Sequence, residues 1–163
     1  MTAHTVKSFD ADLAGLVAVT VEMGQAAANQ VSRTLKALAA EEADRTADII
    51  VADSALDALQ RQVDERSIVV IARRQPVAID LRITLATLKI AANLERIGDL
   101  AKNIAKRRRI LPTPVPGLPG LLDLGDAALG AVRRAMQAFE QQSDQLASDV
   151  WINDEQLDAM HNR

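Results

Sequence analysis

The stretch "ARRQPVAID", residues 72–80, decides how the rest of the chain folds. Pro76 cannot donate a backbone hydrogen bond and drives Gln75 away from helical geometry, so a helix arriving from upstream has to end here. Long proline-free patterns of helical period lie on both sides. Upstream, Ile49, Ala52, Leu56, Leu59 and Val63 step three and four apart and predict a helix over about 43–72. Downstream, Ile83, Ala86, Ile90, Leu94, Ile97, Ala101 and Ile104 do the same and predict a helix over 78–108. A chain that reverses at Pro76 lays these two helices antiparallel.

Working outward, Leu13, Leu16, Val17, Val21, Met23, Val31, Leu35 and Leu38 predict a further helix over 9–39, with "AAEEADR" (39–45) as the turn that follows it. Three helices of about thirty residues joined by short turns make an all-α, up-down-up bundle over residues 1–110. "LPTPVPGLPG", 111–120, has four prolines in ten residues and predicts a stiff, non-helical linker. Residues 121–163 remain as a second unit.

Composition agrees with a helical bundle. Of 163 residues 48% are apolar, and the only aromatics are Phe9, Phe139 and Trp151. A net charge of −3 gives no reason to expect a nucleic-acid surface. The absence of cysteine excludes disulfides, thiolate metal sites and cysteine nucleophiles. Any metal must therefore be held by oxygen, or by His4 or His161. The N-terminus has no signal-peptide core and no window is apolar for the length of a bilayer, which points to the cytoplasm.

The second unit repeats the first. Setting residue i against i+101 matches Gly24 with Gly125, Val31 with Val132 and Arg33 with Arg134. Without a gap, "DSALDAL" (53–59) then meets "DEQLDAM" (154–160), and eleven of the forty alignable positions are identical. In this register 121–163 is an incomplete second bundle that lacks a third helix. Its apolar positions Ala127, Val132, Met136 and Leu157 are expected to want partners, from another copy of the chain or by exchange of helices with it.

Carboxylates four apart on a helix repel by roughly 0.2–0.5 kcal/mol. The chain has 22 acidic residues, from which about three such pairs arise by chance. Five occur: Asp44 with Asp48, Asp53 with Asp57, Glu95 with Asp99, Glu140 with Asp144, and Asp154 with Asp158. The reversal at Pro76 singles out two of them, because Asp53 is as far before Pro76 as Asp99 is after it, and Asp57 as Glu95. Four carboxylates from two helices then share one level, about 30 Å from the turn, beside the apolar seams and so on the rim of the helix pair. Such a rim needs positive charge. Metal ions held by carboxylate oxygen would supply it; so would Arg96 and nearby lysines as salt bridges. Paired Glu-x-x-His elements, as in the di-iron bundles, are absent.

"RRQPVAIDLRITLATLKIAANLERIGDLAKNIA", 73–105, closely resembles the signature region of the PhoU family, bacterial regulators of phosphate uptake. The similarity extends back through "MGQAAANQV" and "DSALDAL" and forward into the second repeat. The resemblance implies two similar three-helix bundles whose Glu/Asp-x-x-x-Asp motifs bind metal clusters at the bundle surface. It assigns Glu95 and Asp99, Asp53 and Asp57, and in the second repeat Asp154 and Asp158, as ligands of divalent or trivalent metal such as Fe, Zn, Mn or Mg. The second cluster would hold only half its ligands without a second "LERIGD". Gln75, Pro76, Asp80, Arg82 and Gly98 belong to the signature, and Arg96 and Asn103 stand near enough to join the shell.

The resemblance further implies negative control of phosphate uptake and phosphate-starvation signalling through contacts with the ATPase of the phosphate ABC transporter and with a sensor histidine kinase. A regulator of another phosphate or metal transporter, or a carboxylate-metal enzyme, are the alternatives. No Ser/His/Asp set and no phosphate-cradling glycine loop is present, so an enzyme is not expected. "KRRR", 106–109, suits a helix C-terminus and could at most bring the protein to an anionic membrane surface. A homo-oligomer is expected.

Overall fold

The computed structural model describes residues 2–40 and 46–162, with side chains from residue 9 and again from residue 47. It is all-α: α1 (Thr2–Ala39), α2 (Thr46–Arg74), α3 (Ala78–Arg108), α4 (Leu118–Gln141) and α5 (Asp144–His161). Of the turn expected at "AAEEADR", residues 41–45, Asp44 among them, lie outside the described residues, as does the side chain of His4. The hinge is where Pro76 requires it. α2 closes at Gln75, whose left-handed φ of 48° lets its N–H bond the carbonyl of Ile71 at 3.2 Å. After an extended Val77, Asp80 sits in the first turn of α3, where a negative charge offsets the helix dipole. Arg74 ties the same end of the bundle together, its Nε donating to Asp12 Oδ2 at 2.9 Å.

Helices α1, α2 and α3 pack mutually, through heptad-like seams. Leu16, Thr20, Met23, Ala27, Gln30, Thr34 and Ala37 are buried on α1 in alternating steps of four and three. On α2 the buried set is Ile49, Asp53, Leu56, Val63, Ser67 and Val70. On α3 it is Thr84, Thr87, Ala91, Leu94, Gly98, Ala101, Ala105 and Arg108. This seam of α3 is rotated by about one residue from the isoleucine face expected of it. Small residues let three backbones approach closely, and the buried threonines satisfy themselves by donating to the carbonyl four residues back: Thr84 to Asp80 and Thr87 to Ile83, both at 2.8 Å. The isoleucines instead turn toward α4. Ile97, Leu100 and Ile104 face Leu121, Leu124 and Val132 across an apolar cavity of about 280 Å³.

α4 starts at Leu118, three residues earlier than the linker reading allowed, because Pro119 is tolerated in a first helical turn and Gly117 takes the left-handed conformation before it (φ 70°). In "KRRR" one residue departs from a solvated end: Arg108 is buried, and its Nη2 donates to Thr113 Oγ1 of the linker at 3.3 Å.

α4 runs along α1, and its contacts are reciprocal. Gly24 of α1 lies against Met136 of α4, where an added Cβ would come within 2.6 Å of Met136 Cγ; Gly125 of α4 lies against Leu35 of α1, where a Cβ would run into Leu35 Cδ2. Both glycines, and both of their large partners, are related by the i+101 register of the repeat. Val132 and Met136 consequently pack on the core of the first three helices rather than standing without partners. α5 reverses at Gln142 and Ser143, whose side chain caps the helix by accepting from the Leu146 N–H at 3.3 Å. Among the described residues α5 packs on α4 alone and buries no residue fully. No helix of the described residues is long and apolar enough to cross a membrane.

Candidate functional site

The site is a polar layer set into the three seams. Gln30 of α1, Asp53 of α2 and Gly98 of α3 occupy buried seam positions at one level. Gln30 Nε2 donates to Asp53 Oδ1 at 3.3 Å and to the Gly98 carbonyl at 3.2 Å, so one amide joins all three helices. Gly98 makes this possible by having no side chain. A Cβ there would collide with Leu56 Cδ2 and lie 3.3 Å from Gln30 Oε1. Its role in the signature is therefore steric: it brings α2 close and presents a backbone carbonyl.

Asp53 lies deeper than a rim position. It is 8% exposed because it takes a seam position of α2 in the same heptad phase as Ile49 and Leu56. Its outer oxygen, Oδ2, accepts a hydrogen bond from Lys102 Nζ, and the same ammonium lies 2.5 Å from Asp99 Oδ1. Lys102 thus crosses from α3 to α2 and is shared by two carboxylates. Those two hydrogen bonds raise its pKa above the ordinary lysine value, Asp53 contributing first. Asp99 is held below the usual carboxylate range, chiefly by the hydrogen bond from Lys102.

Glu95 moves the other way. Burial is the largest cause of its raised pKa, followed by the negative charges of Asp99 and Asp57, the hydrogen bond it shares with Asp99, and the charge of Asp53. The structure thus brings Asp53, Asp57, Glu95 and Asp99 into one electrostatic neighbourhood, as the reversal at Pro76 requires. Positive charge among them comes from Lys102. Arg96 is exposed and pairs with none of the four, and Asn103 is exposed one turn beyond Asp99.

Asp154 and Asp158 lie apart from this cluster, exposed on α5. Gln75 and Pro76 form the hinge, Asp80 serves the start of α3, and Arg82 lines a groove between α3 and the α4–α5 turn. Gln30 lies outside the expected site, and Lys102 enters it only among the nearby lysines expected to pair with the carboxylates, a salt bridge the structure forms to Asp53 and Asp99. Gln30 carried a signal, being a long polar residue in phase with Met23, Ala27 and Thr34. Lys102 carried only its spacing of three from Asp99, which many solvated lysines share.

Among the described residues no three carboxylate or histidine side chains converge as a metal-ligand set in this arrangement. Two carboxylate oxygens nevertheless meet on one cation, the Lys102 ammonium, with Glu95 half-buried beside them. The donors are all hard oxygens, the chemistry that suits Mg, Mn or ferric iron, with Zn also compatible. A metal ion at these oxygens would have to take the place of Lys102.

A heptad-seamed helix triple with paired carboxylates facing each other across two of its helices, and a fourth helix packed on it in repeat register, defines a class of all-α repeat bundles with an acidic inter-helix site. The family model described as PhoU domain matches residues 20–108, which include every residue of this site, and the chain belongs to the PhoU family. It is 38% identical over 165 residues to the phosphate-specific transport system accessory protein PhoU homolog of Caulobacter vibrioides, covering 99% of this chain and 72% of that protein. To the PhoU homolog of Rhizobium meliloti it is 35% identical, covering 98% of this chain and 68% of that one. The crystal structure of PhoU from Pseudomonas aeruginosa superposes with a TM-score of 0.89 at 28% identity, over 94% of this chain and 75% of that chain. The phosphate transport system regulatory protein PhoU from Streptococcus pneumoniae gives 0.87 at 26% identity, over 94% and 73%. These relatives are named as accessory and regulatory proteins, not enzymes.

Proposed function

We propose that this chain is an accessory regulator of a phosphate-specific transport system that restrains phosphate uptake and phosphate-starvation signalling when phosphate is plentiful. The relatives' names support the transport role, and the absence of a nucleophile–base set in the acidic site fits a protein that acts by contact. Its partners are the ATPase of the transporter and the sensor histidine kinase, met in the cytoplasm or at the inner face of the membrane. The observation that carries the reading is the layer joining Asp53, Glu95 and Asp99 across α2 and α3, within the residues matched by the family model.

A metal ion held by Asp53, Asp57, Glu95 and Asp99 would supply a fixed positive centre that the partner reads together with the surrounding helix faces. The carboxylates position it, and Gln30 anchors Asp53 from inside. Asp154 and Asp158 would contribute a second site only with ligands from elsewhere.

The test has two arms. In a strain lacking its own copy, the wild-type chain is expected to restore repression of a phosphate-starvation reporter in phosphate-rich medium, and Asp99→Ala to restore it poorly. Elemental analysis should find metal on the wild type and markedly less on Asp99→Ala. Equal, negligible metal on both would remove the metal from this reading, and failure of the wild type to repress would remove the regulatory role.

A further inference from the structure

We infer that Lys102 is a tethered counter-ion that occupies the cation position of this site in the metal-free protein, so that a metal ion enters only by expelling it. The inference rests on the metal reading above and adds to it a residue that sets how strongly, and with what competitor, the site binds. Its basis is geometric. Lys102 Nζ donates to Asp53 Oδ2 on α2 and to Asp99 Oδ1 on α3, and so stands between the two carboxylates. A metal ion bridging these two oxygens would take the space between them that the ammonium fills.

Lys102 is suited to being displaced. Its side chain keeps 19% of its surface exposed, more than the 11% of Asp53, so the carboxylate is fixed while the cation retains a way out. Asp53 is fixed because Gln30 holds its other oxygen from inside. A lysine ammonium is a compact point charge on a flexible stem, without the planar fork by which arginine grips a carboxylate at two points. Expulsion also changes the fold's connections. Lys102 on α3 bridges to Asp53 on α2, so the metal-free protein has an inter-helix tie that a metal-free protein without this lysine would lack.

The test uses the full chain, stripped of metal, with Mn²⁺ as the probe in calorimetric titration. Removing the competitor in Lys102→Gln or Lys102→Met is expected to tighten Mn²⁺ binding by about tenfold or more. Lys102→Arg should bind no tighter than wild type, and Lys89→Gln, an exposed lysine of the same helix, should leave affinity unchanged. The metal-free Lys102→Gln protein is also expected to melt below the wild type and to recover on adding Mn²⁺. In the wild type itself, Zn²⁺ should shift the Lys102 ammonium NMR signal toward that of a solvated lysine, a readout that does not depend on any variant folding. Equal Mn²⁺ affinity of wild type and Lys102→Gln, with the Lys102 signal unmoved by Zn²⁺, would overturn the inference and leave the metal reading standing. Binding by neither protein, both being folded by circular dichroism, would overturn the metal reading and this inference with it.

Discussion

Gln30 Nε2 stands 3.3 Å from Asp53 Oδ1, within a three-helix seam filled mainly by apolar and small residues. A buried carboxylate oxygen without a donor is costly, and Gln30 is its donor from the inside. Gln30→Ala is therefore expected to lower stability by about 1–3 kcal/mol, read from the midpoint of urea unfolding. Gln30→Glu should be worse, since it sets a second carboxyl group against Asp53.

Gly98→Ala opposes two effects. Alanine is the better helix former by about 1 kcal/mol, but its Cβ would meet Leu56 Cδ2, and Leu56 is itself fully buried. Crowding in a packed core costs typically 1–3 kcal/mol, so a net loss is expected. The second substitution Leu56→Val should recover part of it, and a double-mutant cycle in urea would show the coupling.

Titration should separate Glu95 from Asp99. The folded-state pKa of Glu95 is raised above 4.5, so the folded protein binds more protons there than the unfolded chain does. Stability then falls as pH rises from about 4.5 through the raised value, and levels off above it. Glu95→Gln should match the wild type near pH 4 and become the more stable protein at neutral pH when both are metal-free. For Asp99 the sign is reversed: its pKa is lowered from 3.8, so its contribution is present at neutral pH and is lost as pH falls through the lowered value. These groups are part-exposed, so the differences should shrink in high salt.

The α1–α4 contact gives an asymmetric pair of outcomes. Gly24→Ala pushes on Met136, a flexible side chain that can move aside, whereas Gly125→Ala pushes on Leu35, which is branched and less adaptable. Gly125→Ala is expected to cost about 1–3 kcal/mol and Gly24→Ala less. Limited proteolysis across residues 109–117 should speed up for Gly125→Ala, because α4 holds that linker in place.

Much of this was legible in the sequence, for definite physical reasons. Pro76 acts on its own neighbours, so the hinge and the start of α3 could be read locally. The i+101 register needed only matching letters, and the convergence of Asp53, Asp57, Glu95 and Asp99 followed from the reversal. The seam of α3 was harder. Large apolar side chains dominate any periodicity, yet Ala91, Gly98 and Ala101 face the other two helices because small residues permit close approach. Asp53 looked like rim for the same reason: a carboxylate is not counted as seam until its partners Gln30 and Lys102 are known, and both come from other turns or helices. The pairing of α1 with α4 is tertiary and left no mark beyond the repeat itself.

The reciprocal contacts of Gly24 with Met136 and of Gly125 with Leu35 have an evolutionary corollary. Position i of one helix meets the counterpart of position j in the other, and position j meets the counterpart of i, as at a two-fold interface between identical molecules. A single-unit ancestor would have made both contacts by pairing with its own copy. The two halves keep matching aspartates, Asp53 and Asp57 against Asp154 and Asp158, while each shapes the other's packing surface across about a hundred residues of chain.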